Sequence, residues 1–399
     1  MINIAILGFG VVGSGVAEVI FRNSKELASR LDGEELNIKY ILDKREFPDH
    51  PLGNRVVNDI DIILNDDDVF LVVETMGGLH PAYDFSKKAL LAGKSVVTSN
   101  KEVVAACGAE LLSIARQNNI GYLFEASVGG GIPIIRPMWQ CLAANKIDRI
   151  AGILNGTCNY ILTKMEKEKT DFETALCEAQ ALGYAERNPS ADVEGMDTCR
   201  KISILTSLAF GKHVYPEKIQ CEGITHITYD DILFARNHGY AVKLLGMSKK
   251  ESDGKVYVLT APFFVSEENE IAGVNDVYNG IQVEGNVVGD VLFCGRGAGS
   301  LPTASAVMAD VLDVIRDCRK TIGWKNEEAD FLGDISNNVT DFYVRTKAGE
   351  SVVKTVFGDV KTEKAGDGTA FFTGKMKQSD AEEKIALLGA ETVKIRILD

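Results

Sequence analysis

Through its first 130 residues the chain alternates short, almost wholly apolar runs with longer stretches of helical periodicity. Segments 3–7, 37–42, 69–74, 95–98 and 121–124 read as strands, and 11–22, 83–92 and 101–117 read as helices. Strands without polar alternation must be covered on both faces, and crossover helices supply that cover. The pattern therefore predicts a parallel sheet of the doubly wound type. The turn Gly8-Phe9-Gly10-Val11-Val12-Gly13 leaves the first strand and opens the first helix. In that context each glycine has a task. Gly8 permits the tight turn, Gly10 lets a pyrophosphate approach the backbone, and Gly13 allows close helix–strand packing. The helix start offers free amides and a positive dipole end to the phosphates. The expectation is a Rossmann-type dinucleotide-binding domain, with Gly8, Phe9, Gly10, Val11, Val12 and Gly13 at the cofactor; the plainer alternative is a glycine turn that binds nothing.

Beyond residue 130 the character changes. Helical stretches at 160–168, 172–182 and 195–210 precede strand-like segments at 255–264 and 289–293, which suggests an α+β second domain over 131–300. A closing helix at 303–319 could pack back on the first domain, so that 1–130 is completed by a returning helix at about 300–325. The polar stretch 325–330 reads as a linker. Residues 331–399 read as a small α/β module of strand, helix, strand, helix and strand. The 57 acidic residues outnumber the 43 basic ones, for a net charge of −14. That sign argues against nucleic acid and anionic membrane as partners. No apolar run approaches the ~18 residues of a membrane span, and the opening residues lack the basic region of a secretory signal. Eight cysteines stand without a CxxC pair or Cys/His cluster, so they are expected to be small buried residues in a reducing cytoplasm.

Several residue groups carry candidate chemistry. Asp43 closes the second strand, where an acid accepts from ribose hydroxyls and favours NAD. Lys44 and Arg45 beside it would suit the 2′-phosphate of NADP, and a simple turn cap is the alternative role for Asp43. Lys101, in Thr98-Ser99-Asn100-Lys101-Glu102, begins a helix at the carboxyl edge of the sheet, where ligands bind in open α/β folds. Asp197 and Lys201 stand at i, i+4 and share one helix face. Leu205 and Leu208 continue that face as an apolar stripe, which turns the lysine toward the protein. Glu186, Asp192 and Glu194 lie close in sequence. A lysine so placed would donate a proton to a carbonyl oxygen as hydride arrives, and the carboxylates would hold a cationic amino group. The glycine bend Gly129-Gly130-Gly131 would suit carbonyls turned toward a monovalent cation, or equally a hinge.

Two patterns are false friends. Tyr160 and Lys164 have YxxxK spacing, but without the glycine pattern that accompanies it in short-chain dehydrogenases. Cys158, in Asn155-Gly156-Thr157-Cys158-Asn159, sits in a turn like that of a nucleophilic cysteine, with no histidine nearby in sequence. The five histidines have no ligand spacing.

Taken in order, GFGVVGSG at 8–15, TSNKE at 98–102, EASVGGGIPII at 125–135, ILNGTCNYIL at 153–162, GYAERNPSADVEGMDTCRK at 183–201 and GRGAGSLPTASAV at 295–307 resemble homoserine dehydrogenases. The resemblance implies NAD(P)H-dependent interconversion of L-aspartate 4-semialdehyde and L-homoserine, on the route to threonine and methionine. It implies Lys201 as proton donor, Glu186 and Asp197 as substrate-binding carboxylates, and Lys101 bordering both substrate and cofactor. Gly183 and Gly299 would touch the NAD or NADP. Glu125, Val128, Gly130 and Ile132 match positions that hold sodium, mainly through main-chain oxygens. The family pattern also implies a homodimer or higher homo-oligomer, joined through the substrate-binding domain at 131–300. The tail at 331–399 resembles a shortened ACT module, with Thr346-Lys347-Ala348-Gly349 in place of the usual acid-x-Pro-Gly loop.

Overall fold

The computed structural model describes residues 1–317 and 321–398. The chain divides into two compact units. The first comprises 1–145, 203–216 and 295–329; the second comprises 146–202, 217–294 and 330–399.

The first unit is built on a six-stranded, all-parallel sheet: β1 (Ile2–Leu7), β2 (Leu36–Leu42), β3 (Val56–Val57), β4 (Val69–Glu74), β5 (Ser95–Thr98) and β6 (Tyr122–Leu123). Its order is β3-β2-β1-β4-β5-β6, so the direction of winding reverses at β1. That reversal opens a crevice at the carboxyl ends of β1 and β4, the place where such sheets bind ligands. Each strand lies within a residue or two of its expected span, and only the two-residue β3 was not foreseen. The central strands are apolar because both faces are covered: Ile4, Ile6, Leu71, Val73 and Val97 are wholly buried. The returning helix runs over Ser300–Arg316 in this unit. The expected end of that helix, Arg319, lies outside the described residues, as do Cys318 and the tail's Asp399. The Ser300–Arg316 helix packs on helix α1 (Val11–Arg22), where a Cβ on Gly15 would lie 2.5 Å from Ser300 Oγ. The stretch expected as a linker is instead partly structured. Lys325–Glu328 is an exposed strand paired in parallel with Lys212–His213, and backbone pairing overrode its polar composition.

The second unit is a mixed sheet. Strand β7 (Ile147–Ile153) lies between Tyr278–Gly285 and Tyr240–Lys250, which in turn pairs with Val256–Ser266. The tail extends this same sheet. Val393–Leu398 pairs in parallel with Val256–Ser266, and Phe342–Thr346, Gly368–Phe372 and Thr362–Ala365 follow in order. With helices Glu350–Phe357 and Gln378–Ala386 this is the order of a split βαβ unit. Helices Gly156–Glu168, Phe172–Ala181 and Tyr229–Asn237 cover one face, around a core that includes Ile161, Phe264, Tyr343 and Ile395.

Not all cysteines are buried as expected. Cys158 and Cys199 are buried, whereas Cys141, Cys177 and Cys294 are exposed. Cys294 lies on the edge strand Gly289–Arg296, which pairs with Tyr278–Gly285 on one side. The described cysteines are all free thiols.

Candidate active site

In the first unit the glycine turn has the geometry that a dinucleotide requires. Gly8 has φ +88°, and a Cβ on Gly13 would lie 2.1 Å from the Gly8 carbonyl oxygen. A Cβ on Gly10 would meet nothing within 4 Å, so that backbone faces open space. Gly10 caps α1 without a side-chain hydrogen bond, and Val11 is exposed while Val12 is half-buried. Phe9 is turned inward. Its ring packs edge-on against Phe47 and His50, and its amide donates to Asp43 Oδ2 at 2.8 Å.

Asp43 thus ties the glycine turn to the end of β2. It also accepts from the Arg45 amide at 3.0 Å and from Arg45 Nε and Nη2 at 3.0 and 2.8 Å. The Arg45 guanidinium holds this carboxyl well below the usual range. Sequence reasoning missed Ser300. Its hydroxyl donates to the Val11 carbonyl at 2.7 Å, and Gly299 (φ +116°) caps the Ser300–Arg316 helix without a side-chain bond. Two helix N-termini therefore lie side by side at the turn, and their dipoles add at an anion.

Lys101 is the first residue of helix Lys101–Gln117, at the carboxyl edge of β5. Asn100 caps that helix by accepting from the amides of Glu102 and Val103. The Asn100 amide donates to Thr98 Oγ1, whose hydroxyl donates to Glu74 Oε2 at 2.5 Å. Burial pushes the Glu74 carboxyl up to about 7, opposed by the hydrogen bonds from Thr98 and the Met76 amide.

Glu125, Val128, Gly130 and Ile132 are all buried. The Glu125 carboxylate accepts the amides of Ile134, Ile135 and Arg136 at 2.6, 2.8 and 2.8 Å. Three backbone donors thereby engage the carboxylate. Gly130 has φ +56°, and a Cβ there would lie 2.2 Å from the Gly297 carbonyl oxygen. The glycine bend and the 295–299 segment therefore cross at a distance that excludes side chains. Among the described residues no group of three or more His, Cys, Asp or Glu side chains is placed to hold a metal ion.

In the second unit β7 runs into Leu154 and Asn155 and then the Gly156–Glu168 helix. Lys201, 8% exposed, donates to the Leu154 carbonyl at 2.8 Å and to Asp197 Oδ2 at 2.7 Å. Asn155 caps the Gly156–Glu168 helix by accepting the Cys158 amide. Its Nδ2 donates to Asp192 Oδ1 at 2.7 Å and to Asp197 Oδ2 at 2.9 Å. One helix start is thus joined to the lysine–aspartate pair through a single amide. Asn155 was visible in the sequence as a cap-forming type, but the partner of its Nδ2 depends on a helix 40 or so residues away, as the separations of 37 and 42 show.

Gly183 (φ +74°) and Glu186 lie on an exposed turn after Phe172–Ala181. Thr157 Oγ1 donates to the Tyr184 carbonyl at 2.6 Å and Gln180 Nε2 to the Glu186 carbonyl at 3.0 Å. These bonds hang the turn over the same helix start that Asn155 caps. Both false friends are spent elsewhere. Tyr160 and Lys164 both donate to Glu178 Oε1, and Cys158 is buried with its thiol pushed well up by burial.

A parallel sheet whose first strand opens through a glycine turn onto paired helix N-termini marks the first unit as a dinucleotide-binding domain. Comparison with known proteins narrows the class. Residues 8–125 match the model of the homoserine dehydrogenase NAD-binding domain, and residues 133–312 match the homoserine dehydrogenase model. The homoserine dehydrogenase of a Synechocystis strain is 41% identical over 319 residues, which is 79% of this chain and 73% of that protein. The crystal structure of a homoserine dehydrogenase from Thiobacillus denitrificans superposes with a TM-score of 0.93 at 32% identity, covering 100% of this chain and 98% of that one. A hyperthermophilic archaeal homoserine dehydrogenase mutant in complex with NADPH superposes with a TM-score of 0.65 at 32% identity, over 78% of this chain and 97% of that one. The chain belongs to the homoserine dehydrogenase family, and is an NAD(P)-dependent oxidoreductase.

Proposed function

We propose that the chain reduces L-aspartate 4-semialdehyde to L-homoserine reversibly, with Lys201 as the proton donor to the aldehyde oxygen. The observation that carries this reading is the buried Lys201 ammonium, aimed by Asp197 and the Leu154 carbonyl. Bound NAD(P)H supplies the hydride. Lys201 meets the negative charge that develops on oxygen and passes a proton to it. Asp197 orients Lys201, and Asn155 holds Asp197 in turn. The exposed Glu186 carboxylate, with Asp197, would take the substrate ammonium. Lys101 would border substrate and cofactor.

The residues present fit a dinucleotide. The Gly8–Gly13 turn and the helix starts at Val11 and Ser300 would hold the pyrophosphate. At the adenosine end Asp43 already has four donors. Arg45 must turn away before Asp43 accepts from a ribose, whereas a 2′-phosphate would be met by Arg45 itself. Both cofactors are therefore accommodated. Gly183, on its exposed turn, would touch the cofactor.

The same reading assigns a sodium ion to the main-chain oxygens of Glu125, Val128, Gly130 and Ile132. It also has the chain working in the cytoplasm as a homodimer or higher homo-oligomer, in the supply of threonine and methionine. No helix among the described residues is long and apolar enough to cross a membrane.

Spectrophotometric turnover of L-homoserine with NADP or NAD at alkaline pH, in sodium chloride and in choline chloride, tests this. The expected result is reduced-nucleotide formation that is faster in sodium. Absence of turnover contradicts the substrate assignment, and equal rates in both salts contradict the cation.

A further inference from the structure

Cys199 and Cys221 are two thiols that the mechanism above does not use. Cys199 is wholly buried on the Met196–Phe210 helix, two residues from both Asp197 and Lys201. Asp197 and Lys201 share a helix face, and a residue midway between them points roughly to the opposite side. Cys221 is half-buried on the short strand Gln220–Cys221, whose backbone is fixed in parallel pairing to Leu259 and Thr260. Its sulfur sits against the start of the same helix: Sγ donates to the Glu194 carbonyl at 3.2 Å, and a Cβ on Gly195 would lie 3.0 Å from it. The Cys199 amide donates to the Gly195 carbonyl at 2.9 Å, so Cys199 stands one turn along from the residue whose Cβ position touches the Cys221 sulfur; this brings the two thiols together, with Cys199 as a hydrogen-bond partner of Cys221.

We propose that Cys221 is a peroxide-reactive thiol and Cys199 its resolving partner, and that their disulfide reversibly disables the helix that carries Lys201. The pairing of the two thiols, the access at Cys221 and the shared helix carry the inference. It is supported by the Cys199 hydrogen bond, which lowers the Cys221 pKa and outweighs its partial burial and the nearby Glu222 and Glu194 charges. A lowered pKa, solvent access and an adjacent second thiol are the marks of a redox-sensitive cysteine.

The chemistry balances with a hydroperoxide as oxidant. The Cys221 thiolate attacks one peroxide oxygen; an S–O bond forms, the O–O bond breaks, and hydroxide leaves to be protonated to water. The Cys199 sulfur then attacks the Cys221 sulfenic acid. The S–S bond forms, the S–O bond breaks, and the hydroxyl leaves with the Cys199 proton as a second water. Two electrons pass from the sulfurs to the peroxide. An S–S bond of ~2.05 Å is far shorter than a thiol contact, so closing it draws the helix toward the sheet on the face opposite Lys201. The cross-link is independent of the catalytic assignment, but its effect on turnover rests on the proposed role of Lys201.

The test treats the full chain with hydrogen peroxide, alkylates the remaining thiols and maps the unreduced peptides by mass spectrometry, with homoserine turnover followed in parallel. The expected map shows a Cys199–Cys221 cross-link. Turnover falls by between about 10- and 100-fold, as for an active-site displacement of the order of an ångström, and dithiothreitol restores it. Cys221→Ser turns over normally and keeps its activity in peroxide. Cys199→Ser instead traps a sulfenic acid at Cys221 that dimedone labels, which tests the first step without Cys221→Ser. The proposal is overturned if Cys221 stays alkylatable while Cys141, Cys177 and Cys294 oxidise. It is equally overturned if the cross-link forms and turnover of the active enzyme is unchanged. A preparation whose unoxidised form lacks turnover contradicts the catalytic reading instead, and the peptide map still decides the cross-link.

Discussion

Glu74 and Lys201 are both buried charged residues, and their surroundings handle them differently. Lys201 has a carboxylate and a carbonyl at its ammonium. Glu74 is held by the Thr98 hydroxyl and the Met76 amide, and burial raises its carboxyl from 4.5 to about 7. The folded state therefore binds a proton more tightly than the unfolded chain does. Its contribution to stability is fully present below pH 4.5 and is lost as pH rises through about 7. Such a shift corresponds to about 3 kcal/mol. Glu74→Gln removes it, so the thermal midpoint of the wild type should drop relative to Glu74→Gln between pH 5 and 8; parallel profiles would contradict this. The Asp197–Lys201 pair was legible in the sequence because both partners lie one helical turn apart, and the buried Leu205 and Leu208 bear out the inward face. Asn155 was not legible, because its hydrogen bonds to Asp192 and Asp197 exist only once two distant segments pack.

Among elements, the strand–turn–helix at residues 2–22 was readable almost to the residue, since apolar runs and glycine spacing are local signals. Two glycines in it separate folding from binding. The Gly10→Ala methyl enters open space, so the variant should melt like wild type but bind NADPH at least about tenfold more weakly, the methyl standing where a pyrophosphate would approach. Gly13→Ala meets the Gly8 carbonyl at 2.1 Å and should lose thermal stability as well. Calorimetry with fluorescence titration reads both, and equal melting losses would contradict the distinction. The strands of the second unit were harder to read. Tyr240–Lys250 pairs on both sides, yet Lys243 is buried within it, donating to the Val274 carbonyl at 2.6 Å and Asn275 Oδ1 at 2.9 Å. A buried lysine among helix-favouring Leu and Met residues erases the alternation that marks a strand. Gly246 in the same strand leaves room for the Met196–Phe210 helix, with a Cβ position 2.9 Å from Ile202 Cβ.

Over the whole molecule, the least legible feature was how the tail joins the chain. Each of its strands and helices carries a local signal, but the parallel pairing of Val393–Leu398 with Val256–Ser266 is a long-range event. Side chains lock that join. Buried Asp231 accepts Arg345 Nε and Nη2 at 2.7 and 2.9 Å and the Tyr343 hydroxyl at 2.8 Å. Asp231→Ala leaves the arginine unpaired and should cost about 3–5 kcal/mol, seen as a lower urea midpoint; an unchanged midpoint would remove Asp231 from this role. The central claim concerns one ammonium group, and Lys201→Ala tests it most directly. Its homoserine turnover should fall by about 10²–10⁴-fold, while NADPH titration gives the wild-type Kd. Near-normal kcat in that variant would contradict the account.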